Sequence, residues 1–287
     1  MLIQKTNIFC DYVLHKTEER IVTIIEHIDN FYTEFLRFKT DKQGNKRINK
    51  PKYQQFGEYW TRTINPPKDE LKDIQKRING YLVENITLPE YAYGGIKHRD
   101  NIRNAKLHKG QKYVFQTDLK DFFPFITNKM VYNMFVSVGF SHDVASMLTK
   151  LTTYKGHLPQ GAPTSTTIAN LVFMPTGLEL ETIAEREGLR FSTFVDDVTM
   201  SSQEDFKHIV PEIMTVITSH GFKISQGKTT YKSGITEITG VKMLNNQMTV
   251  TDKFKASYAK EESKYTPRAK GMMNYKDRVK RISLQKK

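Results

Sequence analysis

The sequence predicts an α+β chain built around an antiparallel hairpin, and three observations point there. The run FSTFVDDVTMS, Phe191 to Ser201, sets β-forming residues on both sides of Asp196-Asp197, as a strand, a turn and a second strand would. A second β-rich run, YVFQT from Tyr113 to Thr117, ends on Asp118. Around both lie segments whose apolar residues recur every three to four positions, the period of an amphipathic helix.

Taken in order, residues 17–38 read as a helix, because Ile21, Ile24, Ile25, Ile28, Phe31 and Phe35 keep that spacing. Residues 39–58 are polar and rich in Lys, Asn and Gln, so a loop or exposed hairpin is expected. Pro66-Pro67 marks a turn, and Asp69 is placed to cap a helix running to about Glu84. Leu71, Ile74, Ile78 and Leu82 form its apolar face, and Tyr93-Gly94-Gly95 is a break. After the 113–117 strand, Thr127 can cap a helix with Met130, Val131, Met134, Phe135 and Val138 on one side. A further helix covers about Ser141 to Leu151, and Gly156 to Pro163 is a Gly/Pro loop. Ser165 to Glu185 is helical, opened by a Ser/Thr cluster. Beyond the hairpin come a helix around Gln203–His220 and strand-like runs at Phe222–Ser225, Ile235–Val241 and Gln247–Val250. There is no solenoid-period repeat and no long low-complexity segment.

The chain has 287 residues, enough for one large domain or two to three lobes. Its single cysteine excludes a disulfide framework and a Cys-rich zinc site, and fits a reducing cytosol. No run of ~20 apolar residues is present, so no membrane partner is expected. The N-terminus reaches charged residues before a signal-type apolar stretch can form. Lys plus Arg is 44 against 31 Asp plus Glu, a net of +13, and 11% of residues are aromatic. That aromatic content argues against disorder. A folded basic chain points to a polyanionic partner, nucleic acid above all, or to a merely basic surface. The charge is uneven: Thr251 to Lys287 holds 12 Lys/Arg against 4 Asp/Glu.

Asp118, Asp196 and Asp197 are the residues with chemistry in them. Adjacent acids between β-formers are costly unless they lie at a solvated turn or bind cations. A lone Asp-Asp is ordinary turn chemistry. A second strand ending on an acid changes the reading, because carboxylates from two strand ends can converge on two magnesium ions. Two metals ~3.5–4 Å apart stabilise the attacking and leaving oxygens of a phosphoryl transfer. Magnesium prefers such oxygen ligands and shares its shell with substrate phosphates.

Four ordered segments, DLKDFFPFI (118–126), LPQGAPTS (158–165), FVDDVTMS (194–201) and GFKISQGKT (221–229), resemble the palm motifs of reverse transcriptases. Within that family the chain looks most like the bacterial retron-type enzymes. Asn104-Ala105-Lys106-Leu107-His108 matches their Asn-Ala-x-x-His element, and Ile238-Thr239-Gly240 resembles their Val-Thr-Gly triplet. Thr166 stands where many relatives have proline, and the 37 residues after Val250 are short for a thumb. Both departures leave the subgroup open.

The resemblance implies a right-hand polymerase: fingers over 1–113 and 128–157, palm over 114–127 and 158–250, and a reduced basic thumb over 251–287. It implies an RNA-directed DNA polymerase copying a structured noncoding RNA, with dNTPs, two magnesium ions and an effector protein in anti-phage defence, in the bacterial cytoplasm. Asp118, Asp196 and Asp197 become the catalytic metal ligands, joined by the backbone carbonyl of Leu119. Phe123 becomes the bulky aromatic that excludes a ribose 2′-hydroxyl. Arg62, Gln160 and Lys228 serve the incoming nucleotide, Lys52 being a weaker candidate. Asn104, His108, Thr239 and Gly240 serve the RNA, His108 as a contact or as a structural residue. Lys253, Lys255, Lys264, Arg268 and Lys270, interleaved with Phe254, Tyr258, Tyr265 and Tyr275, serve the duplex. This length is expected to leave no room for a ribonuclease H domain. Two other readings stay open: a defence-associated enzyme with non-templated or protein-primed DNA synthesis, and a non-catalytic RNA-binding subunit.

Overall fold

A computed structural model describes residues 2–39, 46, 48 and 59–285 of the chain. Lys52 and most of the expected 39–58 loop lie outside the described residues. The elements, in chain order, begin with α1 (Thr6–Phe9), a π-helical turn (Cys10–Leu14), α2 (Glu18–Glu26) and a 3₁₀ turn (Ile28–Phe31). Then come β1 (Phe35–Phe38), β2 (Thr61–Ile64), α3 (Asp69–Asn85), α4 (Asn101–Leu107), β3 (Tyr113–Asp118) and α5 (Phe122–Phe125). These are followed by α6 (Asn128–Ser137), α7 (His142–Thr152), α8 (Ser165–Arg186), β4 (Arg190–Phe194), β5 (Asp197–Ser202) and α9 (Val210–Ser219). The chain closes with β6 (Thr230–Ser233), β7 (Thr236–Ile238), β8 (Val241–Leu244), β9 (Gln247–Val250), α10 (Asp252–Glu262) and α11 (Pro267–Leu284).

Two compact units result. The first comprises Met1–Thr87 and Phe123–Val172, the second Leu88–Phe122 and Phe173–Lys287. In the first, the apolar faces read from the sequence are the core: Ile21 and Ile24 of α2, Leu71, Ile74, Ile78 and Leu82 of α3, Val131 and Phe135 of α6, Leu148 and Leu151 of α7. Thr127 and Ser141 cap α6 and α7 by accepting from the amides of Met130 and Val144. Gln75 is buried among these helices, donating to the Tyr32 hydroxyl and the Leu151 carbonyl, both at 2.8 Å.

Three local expectations are corrected here. The 17–38 helix stops at Glu26, and after the 3₁₀ turn Phe35–Phe38 is a strand paired with β2. Long-range pairing overrides the local period, which produces no fully buried apolar side chain between Ile24 and Phe31. Asp69 is the first residue of α3, not its cap, and no side chain caps the Lys68 end. Phe222–Ser225 forms only the bridge Ile224 to Leu119, and the strand lies further on, at β6.

The second unit holds a four-stranded sheet of order β4-β5-β3-β6 with antiparallel neighbours, and a three-stranded meander β7-β8-β9. Ile102, Ala105, Val114, Val241, Met243, Met248, Val250, Val279 and Ile282 share one buried cluster, with Phe254 and Tyr275 packed on it. The C-terminal basic stretch is therefore half core. α11 turns Val279 and Ile282 inward, Tyr258 is buried, and the Phe254 and Tyr275 rings meet at 5.2 Å. Of the four aromatics there, Tyr265 alone is fully presented, at 95% exposure.

Candidate active site

The central strand β3 carries Val114, Phe115 and Thr117 into the interior and ends on Asp118. Its register with β5 sets Asp118 directly opposite Asp197. Like charges in that position repel, so the strand ends alone disfavour this pairing. Phe194 pairs with Asp197, which leaves Val195-Asp196 as a two-residue turn. Val195 has φ of 61°, in the left-handed region. A positive φ at the first central residue is the type II′ pattern, which favours glycine. A β-branched valine there stores on the order of 1–3 kcal/mol of strain, to be offset by the surroundings.

Those surroundings are specific. The Leu119 amide donates to the Asp196 carbonyl at 2.8 Å, tying strand end to turn. The Ser225 amide donates to the Asp118 carbonyl at 2.8 Å, and the Thr117 and Thr229 hydroxyls meet at 2.8 Å. Gly94 lies flat against the turn: a Cβ on it would sit 2.5 Å from both Val195 N and Val195 Cγ2, and 2.9 Å from Phe194 C. The 88–95 segment is held there because the amides of Thr193 and Tyr93 donate to the carbonyls of Tyr91 and Thr193, both at 2.8 Å. Gly177 of α8 leaves room for the Tyr91 ring, whose hydroxyl would be 2.1 Å from an added Cβ.

The result is a triad. Asp118, Asp196 and Asp197 each offer a carboxylate oxygen, all within 4.8 Å of one another. Lys228, set by the 3₁₀ turn Gln226–Lys228, places Nζ 2.5 Å from Asp118 Oδ2. Burial pushes the Asp197 carboxyl up to about 7; Asp196 and Asp118 push the same way, and Lys228 opposes them. A hard oxygen donor set under mutual repulsion is what a divalent cation relieves, so the triad can hold a metal ion.

The other expected residues divide between the units. Arg62, Phe123 and Gln160 belong to the first. Arg62 is exposed on β2, directly opposite Arg37 of β1, which sequence reading passed over. Two arginines facing across a ladder suit an anionic ligand better than each other. Phe123 is half-buried. The Gln160 carbonyl accepts from the Asn65 amide at 2.8 Å, and Gly161, at φ of 97°, would bring a Cβ to 3.0 Å from Ile64 Cγ2. That loop is closed by Ser165 Oγ donating to the Pro159 carbonyl at 2.6 Å.

In the second unit, Asn104 and Thr239 come together: Asn104 Nδ2 donates to Thr239 Oγ1 at 3.2 Å, and Asn101 Nδ2 to the Thr239 carbonyl at 3.0 Å. Thr239-Gly240 is the turn between β7 and β8, both residues at positive φ. His108 is buried, its two ring nitrogens bonded to Ser201 and Ser192 hydroxyls at 2.7 and 2.8 Å. Burial, aided by Arg190, pushes its pKa down to about 3, so it is neutral. Of the two roles open to His108, the geometry supplies the structural one: it bolts the end of α4 to the back of the β4–β5 hairpin. Lys253, Lys255, Lys264, Arg268 and Lys270 are all exposed, Lys255 paired with Asp252 and Lys264 with Glu261. The sequence showed Gly94 only as part of a break and held no sign of Val195; the valine between Phe194 and the acids carries no local mark of positive φ.

A family model described as reverse transcriptase (RNA-dependent DNA polymerase) matches residues 48–265, and the chain belongs to that family. It has the α+β right-hand polymerase fold. Telomerase from Candida albicans, solved in complex with a fragment of telomeric RNA, matches 82% of this chain and 51% of its own at a TM-score of 0.51 and 9% identity. Within the family, the chain is 34% identical over 170 residues to the Retron Ec86 reverse transcriptase of Escherichia coli, covering 58% of this chain and 53% of the relative. It is 35% identical over 175 residues to the Retron Se72 reverse transcriptase of Salmonella heidelberg (strain 579083-10), covering 59% and 46%. The matched stretch spans about half the length of these curated relatives. No described helix is long and apolar enough to cross a membrane.

Proposed function

We propose that the chain is a retron-type RNA-directed DNA polymerase that copies a structured noncoding RNA into DNA. The observation that carries this is the triad of Asp118, Asp196 and Asp197, ligand atoms within 4.8 Å, inside the stretch that matches the family. The reaction joins a primer hydroxyl to the α-phosphate of a dNTP and releases pyrophosphate. The triad, with the Leu119 carbonyl, would hold two magnesium ions, whose charge would stabilise the attacking and leaving oxygens. The chain's own work is positioning. Arg62 forks onto triphosphate oxygens, and Lys228, its side chain 61% exposed, turns from Asp118 to the same triphosphate. Phe123 packs against the sugar and refuses a 2′-hydroxyl, and Gln160 supports the template base. Residues 1–113 and 128–157 act as fingers, 114–127 and 158–250 as palm, and 251–287 as a basic thumb on the duplex. Asn104, Thr239 and Gly240 present a fixed turn to the RNA, His108 acting behind them. The enzyme works in the bacterial cytoplasm with an effector protein in phage defence.

The test is incorporation of dNTPs with an RNA of known sequence, followed by sequencing the product. DNA complementary to that RNA is expected, and a homopolymeric or random product refutes templated copying. Asp196→Asn/Asp197→Asn should abolish incorporation; wild-type activity in that variant refutes the site.

A further inference from the structure

We infer that the second unit carries an anion site separate from the triad, built to take the phosphodiester backbone of a nucleic-acid strand. That the polyanion is nucleic acid rests on the polymerase reading; the site itself rests on geometry. A cavity of about 900 Å³ opens between α4, α11 and the segment before α4. Arg103 and Lys106 come from α4, Arg278 and Arg281 from α11, and Arg99 from the segment before α4. Among the described residues Glu90 is the one acid on its wall, and Asp277 lines the adjoining hollow with Lys280 and Arg281.

The cations are held in place mostly without being neutralised. Arg99 donates to the carbonyls of Pro89 and Ala92, both at 2.6 Å, and Arg103 to the carbonyl of His98. Lys106 reaches Gln285 Oε1 at 3.4 Å. Carbonyl and amide partners orient a side chain and leave its charge intact. Arg278 is the exception, paired with Asp100. Arg281 has no acidic partner among the described residues. Fixed guanidinium forks with uncancelled charge match phosphate oxygens. The cavity is also placed for a strand. Tyr93 lines it, and the Tyr93 amide is bonded to Thr193 of β4, the sheet edge that leads into the Val195-Asp196 turn. A chain lying in the cavity therefore runs from beside the catalytic hairpin to the end of α11, and the Tyr93 ring offers a face for a base.

The experiment is binding of short single-stranded RNA and DNA of one sequence to the full chain, followed by fluorescence anisotropy across a salt series. Arg281→Gln/Lys106→Gln removes two charges that no core packing depends on. Two phosphate contacts on a single strand carry a log–log salt slope of about 1.4, so the variant should bind about 60-fold more weakly at 50 mM salt, with the slope reduced by that amount. Lys129→Gln/Lys150→Gln removes the same charge from the exposed surface of α6 and α7, and should leave the slope nearly unchanged. Loss confined to RNA assigns the site to the template side, loss confined to DNA to the product side, and either supports it. Equal slopes for both double variants overturn it. Binding needs no catalysis, so a chain that binds through this cavity but never incorporates dNTPs refutes the proposed function and leaves the site standing.

Discussion

Gly94→Ala tests whether the catalytic turn is held by its neighbour. The added Cβ would meet Val195 N and Cγ2 at 2.5 Å, and ordinary contact begins at 3.4 Å. Relief therefore needs a shift of about 0.9 Å, and the obstacle is backbone, which cannot rotate aside as a side-chain end can. Gly94 is not at positive φ, so the substitution introduces no conformational strain and the clash acts alone. The Val195 turn already stores strain, and Asp196 is the next residue, so the shift passes straight to a metal ligand. Overpacking of this kind costs about 1–3 kcal/mol of stability. A displacement near 1 Å at a reacting centre costs roughly 100-fold in rate. Gly80→Ala is the control: a Cβ there meets nothing within 4 Å, and alanine in a helix should stabilise by about 1 kcal/mol. Single-turnover dNTP incorporation and thermal melting of both variants read the two effects. A Gly94→Ala enzyme with near wild-type rate, melting like its parent, would show that the 88–95 segment does not support the turn.

Replacing Asp118 by Asn should reduce incorporation by at least ~1,000-fold while leaving the metal-free protein as stable as before, since one repelling charge is gone; rate and melting temperature check this together. The raised Asp197 pKa sets a pH dependence. Its proton must leave for a metal to bind, so metal affinity should fall about tenfold for each pH unit below about 7, measured by titration calorimetry. Without metal, the folded chain holds that proton more tightly than the unfolded one, so stability is lost as pH rises from about 4 to 7, and Asp197→Asn should remove that loss. His108 has the opposite sign: held neutral in the fold, it costs stability as pH falls from about 6.5 to 3. His108→Ala should destabilise by about 3–5 kcal/mol, leaving the Ser192 and Ser201 hydroxyls buried without it, and should flatten that acid limb in a denaturant series. Phe123→Ala should raise rNTP use relative to dNTP use by at least ~10-fold, about 1.4 kcal/mol, in a competition assay; unchanged discrimination would release Phe123 from that role.

The helices of the first unit were legible because burial repeats: Leu71, Ile74, Ile78 and Leu82 fall on one face whatever else the chain does. The hairpin was legible because Asp196-Asp197 sits between β-formers, and the acid at the end of β3 because an apolar strand rarely finishes on a charge without cause. What stayed hidden needed a partner distant in sequence. Phe35–Phe38 fits a helical period until β2, some 25 residues on, offers a ladder. Tyr258 and Tyr275 read as stacking partners for bases, and only the tertiary structure shows otherwise: Tyr258 is buried, and Tyr275 packs on the apolar cluster that contains the meander. His108 looks the same in sequence whether it meets RNA or two serines; its burial between strands that follow it by more than eighty residues selects the serines. Gly94 is the clearest case. As a turn glycine it would matter for its φ, and any residue tolerant of that φ would replace it. As the residue packed on Val195 it matters for having no side chain, and none replaces it. The opening break of a loop and the floor of the catalytic turn are the same residue, and the two readings part only at alanine.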